Sequence, residues 1–517
     1  MPANMPSLSL TIPTERTAYG NIELNEDLLQ HWIRRLPSNN PIEFTQRYLD
    51  ALKRFNTNEV SHKDRIKLLD LYREPFNKVL FGLTIPKLQK LVKDPDTRFS
   101  LINDMSQVLA ELANGYKIVV VEANLKSDNL KLNPLAHMAI YRACEQLSYQ
   151  ALHAYKFYRT IPVKLFIELH QLYMLTEGAG IADKPPFVNM DFKAEFSVKH
   201  RYCQMMLVSI SNPFGLASGD ILRCYNLMLQ LATTARVMPL PDDGKPLSGH
   251  FYINCLSDRT PTAAILPVME NNSRPPTLVL DTKAILSRVD SLFEQANEQG
   301  GHPAADNIRL LKQIVPYLNT SYQRKQARVA VEGDKNTYIC AGLEAIHHNL
   351  TQVGSVPVKG DPWLDSAWEI LNKNSYGYLI QKRKVSKAHD LKIGDFIGIL
   401  ESSGPDQKPS LKLASIRWLR TDDFQQTKMG LKFIPGEPIP VFFSSETETS
   451  KAPAFLIREN SLRHEAATLI TTSGVFETFP TLVIKTGKKR FNFTVKPEKL
   501  LDHNDSFERF TFKDLIK

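Results

Sequence analysis

The hydrophobic positions in the first half of the chain repeat with the period of an amphipathic helix. In residues 24–36 and 41–55, apolar side chains recur three or four positions apart with polar side chains between them, as in a helix with one buried face. Five later segments repeat the pattern, namely 61–72, 100–113, 134–157, 162–176 and 219–235. Spacers containing proline and glycine separate them. The pattern predicts an all-α region over residues 1–236.

The pattern of apolar and polar positions changes after residue 236. Short β-like runs occupy 250–256 and 276–281, and helical patterns follow at 282–299 and 308–318. We expect the second of these helices to bend at Pro316 and to pack against other apolar surface, with the helical region as the expected partner. The apolar stripe that predicts this packing consists of Ile308, Leu311, Val315 and Leu318. Residues 237–319 are therefore interpreted as a mixed β/helix connecting segment.

Beyond residue 328 the apolar positions alternate with a period of two. Seven short alternating runs lie within about 110 residues, separated by turns rich in glycine and proline, which predicts a small antiparallel β-barrel over residues 320–445. More β-like runs follow, so residues 446–517 are predicted to be a β-rich extension. The fold class expected for the whole chain is multidomain α+β, with an N-terminal all-α region and a C-terminal barrel.

Composition places the chain among soluble globular proteins with more than one core. The chain has 517 residues, of which 43% are hydrophobic and 23% charged, and its formal net charge is +9. This mild positive charge favours an anionic partner. Long Lys/Arg tracts and interleaved aromatic and basic residues are absent from the sequence, so nucleic acid is not favoured as that partner.

The cysteines and the apolar runs bear on location. The five cysteines are dispersed without a CxxC pair, which suits buried thiols in a reducing compartment. The first 17 residues lack a basic segment followed by an apolar run, so no signal peptide is predicted. Apolar runs such as 118–121 are too short to span a bilayer. We therefore expect a cytoplasmic protein without a membrane span.

Two polar motifs carry the candidate chemistry. Arg324 and Arg328 lie four positions apart, and the stretch NKNSYG places Asn372 and Asn374 before Gly377. Guanidinium groups form paired hydrogen bonds with phosphate or guanine and stack on purines. Asparagine offers a donor and an acceptor to a base edge, and glycine permits close backbone approach or a positive φ. The alternatives are a solvated helix end for the arginines and a capped turn for the asparagines.

These motifs, in this order, resemble those of the PilZ domain family. The strands at 391–401 and 415–433 are similar to those of the family too. The resemblance implies a PilZ-like barrel that binds cyclic di-GMP, with Arg324 and Arg328 clamping phosphate and stacking on base. Asn372 and Asn374 would read guanine, and Gly377 would shape the floor of the site.

The chain departs from the family pattern in two places. Asn374 stands where the family most often has serine. The 44 positions from Arg328 to Asn372 exceed the spacing of a compact PilZ domain, and residues 342–368 form an apparent, partly helical insertion. Neither departure removes a chemical group that the site needs.

The resulting hypothesis is a bacterial cyclic di-GMP receptor that passes the signal to an unidentified protein partner through its helical region. The first alternative is a PilZ-like scaffold that mediates protein interactions without binding nucleotide. The second is a regulated enzyme with its active site in the helical region. However, the sequence contains no Gly-rich phosphate loop, HExxH, GxSxG or paired-carboxylate motif, so neither catalytic residues nor a cofactor is predicted.

Three further residues and one segment carry expectations. His347 and His348 are expected to form a surface pair rather than a metal site, since adjacent helix residues point apart. Trp418 is expected in the core or rim of the barrel. Binding at Arg324 and Arg328 is expected to order residues 319–328 and so to reorient the barrel.

Overall fold

A computed structural model describes most of the chain. The described residues are 9–13, 24–125, 133–190, 193–240, 249–263, 277–299, 301–320, 329–352, 365–383, 391–401, 410–445, 451–459, 466–486 and 492–515. They divide into two compact units, Met1–Gln323 and Arg324–Lys517. The α+β class expected from the sequence is confirmed, with helices in the N-terminal unit and β-barrels in the C-terminal unit.

The N-terminal unit is built around nine helices in its described part. They are α1 (Glu26–Arg34), α2 (Pro41–Thr57), α3 (His62–Gly82), α4 (Ile85–Leu91), α5 (Pro95–Leu125), α6 (Pro134–Lys156), α7 (Leu165–Gly178), α8 (Val198–Ile210) and α9 (Ser218–Ala232). Several begin at side chains that cap the first turn; Asn40, for example, accepts a hydrogen bond from the backbone of Glu43. Helix α8 was not predicted, because most of its side chains are buried and its sequence therefore lacks a polar face.

A buried ionic cluster ties α3, α6 and α8 together. The carboxylate of Glu145 on α6 accepts hydrogen bonds from Arg73 at 3.2 Å, Arg142 at 3.3 Å and Arg201 at 3.1 Å. Asp70 on α3 accepts from Arg142 at 3.3 Å and from the hydroxyl of Tyr116 on α5 at 2.6 Å. Because buried charges are tolerated only when they are paired and hydrogen-bonded, this cluster fixes how the helices pack.

A small sheet and two helices complete this unit. Strands β1 (Arg236–Pro239), β2 (His250–Asn254) and β3 (Thr277–Asp281) form an antiparallel sheet in the order β1-β3-β2. Helices α10 (Lys283–Gln299) and α11 (Gly301–Leu318) follow. Arg309 of α11 forms a bidentate ion pair with the buried Asp220 of α9, at 2.7 and 3.1 Å. Helix α11 also lies against α8, so the expected packing of this helix against the helical region is confirmed.

The buried stripe of α11 differs from the predicted one. Leu310, Leu311, Ile314 and Leu318 are buried, whereas Ile308 and Val315 are only half-buried. The end of the helix is also anchored, because the Thr282 hydroxyl donates to the Leu318 carbonyl oxygen at 2.9 Å. Just beyond it, the Gly249 amide donates to the Thr320 hydroxyl at 2.8 Å. Residues 321–328 of the expected switch lie outside the described residues.

The C-terminal unit contains two closed antiparallel barrels. The first consists of β4 (Val329–Ala341), β5 (Asp365–Asn374), β6 (Gly377–Arg383), β7 (Phe396–Glu401), β8 (Ser410–Thr421) and β9 (Gln426–Phe433), in the order β4-β5-β6-β9-β8-β7. Helix α12 (Leu343–Gln352) follows β4. Residues 353–364 of the apparent insertion lie outside the described part of the chain.

The second barrel occupies the predicted β-rich extension and begins before it. Its strands are β10 (Pro438–Ser444), β11 (Ala452–Ile457), β12 (Thr468–Thr471), β13 (Leu482–Thr486), β14 (Asn492–His503) and β15 (Glu508–Asp514), with the short helix α13 (Val475–Thr478) after β12. The strand order, β10-β11-β12-β15-β14-β13, is that of the first barrel. Strand β10, which the sequence interpretation placed at the end of the first barrel, pairs with β11 and β13 of the second.

Helix α12 packs between the two barrels. Its Leu343, Ala345 and Ile346 share one buried cluster with Phe396 of the first barrel and Phe455 of the second. The barrels therefore share apolar core and form one packing unit.

His347 corrects the expectation of a surface histidine pair. Its side chain is buried, and its Nε2 lies 2.9 Å from the carbonyl oxygen of Val441 in the second barrel. Its ring packs edge-on against Phe442, with centroids 4.6 Å apart. Only His348 is exposed. His347 thus links α12 to β10.

Candidate functional site

Three of the five predicted site residues lie on the hairpin that joins β5 to β6. Asn372 and Asn374 end β5, and Gly377 begins β6. Asn374 pairs with Gly377, so Ser375 and Tyr376 form a two-residue turn. Arg324 and Arg328 lie outside the described residues.

Asn374 has a structural role in this turn. Its Oδ1 accepts a hydrogen bond from the backbone amide of Tyr376 at 3.0 Å. Such a bond is typical of asparagine in turns. One of the two alternatives drawn from the sequence, the capped turn, therefore describes this residue whether or not a ligand binds.

Gly377 is required by strand packing. A Cβ atom at this position would lie 1.9 Å from the carbonyl oxygen of Leu431 on β9, so any side chain would force β6 and β9 apart. Its φ is not positive, unlike that of Gly394 or Gly436. Its role is close approach between strands rather than an unusual backbone conformation.

The register of β4 brings the first described residue after Arg328 to the same hairpin. Val329 pairs with Lys373, and Ala330 pairs with Asn372. In the sequence, Val329 is the residue that follows Arg328. The strand that follows the arginine motif therefore begins opposite Lys373 and Asn372.

Asn372 belongs to a row of paired residues that crosses the outer face of the first barrel. The row runs Ala330, Asn372, Leu379, Gly430 and Trp418. Leu379 lies between Tyr378 and Ile380, which are both buried, and alternation along the strand turns it outward. Directly paired residues share a face, so Asn372 and Trp418 lie on the outer face too.

Trp418 covers the gap that Gly430 leaves in this row. A Cβ at residue 430 would lie 2.1 Å from the indole Nε1 of Trp418. The indole is half-buried, in agreement with the expected rim position. Trp418 and Gly430 thus place a flat, partly exposed aromatic ring on the face that carries Asn372.

The same face is basic. Lys428 and Lys432 lie two residues on either side of Gly430 on β9, so all three share one face. Arg420 of β8 pairs with Lys428 and is exposed. Lys432 pairs with Gly377, which places it beside the hairpin. The sequence interpretation missed these lysines, although the alternating K-x-G-x-K pattern at 428–432 was a usable signal.

The described residues bear on metal-binding groups, reactive thiols and membrane-spanning helices. No group of three or more His, Cys, Asp or Glu side chains in the described part of the chain is arranged to hold a metal ion. All five cysteines are buried and free, which confirms the expectation of buried thiols. No helix in the described part is long and apolar enough to cross a membrane.

The candidate site is therefore a polar, basic outer face on the first barrel. It lies beside the start of β4, the strand that follows the arginine motif in the sequence.

Comparison with known proteins shows similarity for the N-terminal unit. Residues 27–242 match the family model described as the N-terminal domain of the cyclic-di-GMP receptor FimW. This range runs from α1 to just beyond β1 and ends before either barrel.

One relative supports the same similarity. The chain is 26% identical over 177 residues to the cyclic-di-GMP receptor FimW of Pseudomonas aeruginosa. The matched stretch covers 34% of this chain and 29% of the relative. The chain thus matches less than a third of the length of that receptor.

Proposed function

We propose that the chain is a cyclic di-GMP receptor and that its first barrel is a PilZ-like ligand-binding domain. The register of β4 against β5 carries the proposal, because Val329, next to Arg328, pairs with Lys373 between the two asparagines. We infer that the arginine motif, which directly precedes Val329 in the sequence, supplies the positive charge for an anion held over the outer face of the hairpin. Similarity of residues 27–242 to the N-terminal domain of a protein named as a cyclic-di-GMP receptor, and the partial match of the chain to that receptor, support the same ligand.

In this proposal each part of the outer face meets one part of the ligand. Arg324 and Arg328 bind the phosphates and stack on a base, and Lys432 adds positive charge beside the hairpin. Asn372 and Asn374 bind guanine edges. Asn374 does so through its amide nitrogen, because its Oδ1 is already engaged in the turn. Gly377 keeps the floor of the site flat.

We further propose that the helical unit passes the signal to a protein partner. It is the unit with similarity to the receptor family model, and the ionic cluster around Glu145 ties its helices α3, α6 and α8 together. Catalysis has no part in this proposal, and the protein would act in the cytoplasm, where the nucleotide is made.

The alternative is a scaffold that does not bind nucleotide, and two observations favour it. Asn374 caps its own turn and Gly377 is required by strand packing, so both residues have structural reasons to be present. Calorimetric titration of the full chain with cyclic di-GMP distinguishes the two functions, with cyclic di-AMP as the control ligand. Saturable heat with cyclic di-GMP and much weaker heat with cyclic di-AMP is expected. If the folded chain gives no heat with cyclic di-GMP, the scaffold function is the one that remains.

A further inference from the structure

Residues 9–13, the N-terminal strap, lie against helix α7 as a bound peptide would. The strap has no regular secondary structure. The amide of Ser9 donates to Oε1 of Gln171 at 3.0 Å, and the amide of Thr11 donates to Oε1 of Glu168 at 2.7 Å. Glu168 and Gln171 are three residues apart on α7 and so share one face. Two alternate backbone amides of the strap are therefore bound by side chains of one helix.

Glu168 is built into the helical unit in a way that leaves one oxygen for a peptide. Its side chain is only 4% exposed, and its Oε2 accepts a hydrogen bond from the buried Nζ of Lys117 on α5 at 2.6 Å. That ion pair neutralises the carboxylate inside the protein, while Oε1 binds the Thr11 amide. A buried carboxylate oxygen without a donor is costly, so this position requires a donor from whatever covers it.

The strap combines backbone hydrogen bonds with two partly buried apolar side chains. Leu10 and Ile12 are half-buried, while Ser9 and Thr11 are exposed. All of the side chains in residues 9–13 are uncharged. Since the hydrogen bonds come from backbone amides, another extended segment with similar apolar positions can make them equally well.

We propose that the surface of α7 around Glu168 and Gln171, with Lys117 paired behind Glu168, is a peptide-binding site that the chain's own strap occupies. The outside occupant is an extended, uncharged segment of a partner protein, with apolar side chains two residues apart and N–H groups at the two alternate amide positions. Such a segment displaces the strap. This interaction surface is independent of nucleotide binding.

The test uses a variant that lacks residues 1–13 and a fluorescent synthetic peptide of residues 5–14, whose side chains are all uncharged. Anisotropy should show saturable binding to the variant and much weaker binding to the full chain, where the strap competes. A peptide N-methylated at Thr11 loses the donor to Glu168 and should bind at least tenfold more weakly. N-methylation at Leu10 is the matched control for the added methyl group.

A change in the protein tests the second contact. Gln171→Ala in the truncated variant removes the acceptor for Ser9 and should weaken peptide binding about fivefold, as expected for one hydrogen bond. The control is Gln230→Ala, at an exposed position on α9, which should leave affinity unchanged. If truncation prevents folding, the full chain with Ile12→Asp expels the strap and carries the same measurements.

Several results would overturn the proposal. One is a folded truncated variant that does not bind the peptide, and another is equal binding to full chain and variant. Equal affinity for both N-methylated peptides would show that the hydrogen bond from the Thr11 amide to Glu168 does not contribute to binding. Unfolding of both variants would make the strap part of the core. Dimers of the full chain that Ile12→Asp abolishes would identify a second copy, not a partner, as the occupant.

Discussion

Trp418 lies against Gly430 on the neighbouring strand of the first barrel, and its indole nitrogen fills the space where a side chain of residue 430 would begin. The contact explains why a tryptophan and a glycine occur opposite each other on β8 and β9. It also fixes the ring on the outer face that carries Asn372.

Gly430→Ala should displace the Trp418 indole and destabilise the barrel by roughly 1–3 kcal/mol, because the added methyl overlaps the ring. Urea unfolding followed by tryptophan fluorescence measures both effects. Gly82→Ala is the control, because a Cβ there would meet no atom within 4 Å; it should change stability by no more than about 0.5 kcal/mol. Unchanged emission and stability in Gly430→Ala would show that the ring does not rest on Gly430.

The arginine motif is tested by Arg324→Ala and Arg328→Ala. Each charge-assisted contact is worth on the order of 1.5–3 kcal/mol, so either change should weaken cyclic di-GMP binding roughly ten- to a hundredfold. Calorimetry gives the affinity and circular dichroism the fold. Arg458→Ala, at an exposed site in the second barrel, should bind as the unaltered chain does. Wild-type affinity in both motif variants would remove these arginines from the site.

The asparagines separate base recognition from turn formation. Asn372→Ala should reduce the preference for cyclic di-GMP over cyclic di-AMP, because a guanine edge loses its partner. Asn374→Asp keeps the acceptor that binds the Tyr376 amide but loses the amide donor, so it should weaken binding while leaving the melting temperature unchanged. If Asn372→Ala lowers affinity for both ligands equally, that residue only shapes the strand.

His347 and His348 form a matched pair for testing the junction of the barrels. His347→Ala removes a buried ring and its hydrogen bond to Val441, and should destabilise the C-terminal unit by on the order of 2 kcal/mol. His348→Ala removes an exposed side chain and should change stability by less than about 0.5 kcal/mol. Thermal unfolding gives both values. Equal effects would mean that His347 does not link α12 to β10.

The sequence predicted the helices and strands that have one solvent-exposed face and one buried face. Segments such as 41–55 and 134–157 matched helices within a few residues, because their apolar spacing records a single buried face. Helix α8 was not predicted from the sequence because it is buried on most sides. The sequence also suggested individual strands after residue 446, but not the second barrel, since its closure requires β10 to pair with the distant β13.

The candidate site was predictable only in part, for a similar reason. The hairpin residues Asn372, Asn374 and Gly377 stand together in the sequence, so a short motif is enough to find them. The basic outer face depends on which strands become neighbours, and Lys432 faces the hairpin only through the pairing of β9 with β6. His347 shows the same limit, because its partner Val441 lies 94 residues away.

His153 should make the stability of the helical unit depend on pH. His153 on α6 is 1% exposed, and its Nε2 lies 2.9 Å from the carbonyl oxygen of Ile102. Burial, reinforced by the nearby Lys156 and Arg159, lowers the pKa of His153 to about 4, against the opposing effect of the hydrogen bond to Ile102. The unfolded chain binds this proton near pH 6.5, so between about pH 6.5 and 4 only the unfolded state is protonated there.

The free energy of unfolding should therefore fall as pH decreases through this window, by up to about 1.4 kcal/mol per pH unit from His153. His153→Gln retains a hydrogen-bond donor but cannot titrate, so its stability should depend less steeply on pH. Urea unfolding followed by the helical circular dichroism signal, at a series of pH values, measures the slope. Leu152→Ala, a buried neighbour, should lower stability equally at every pH. Parallel slopes for His153→Gln and the unaltered chain would show that His153 titrates alike in both states.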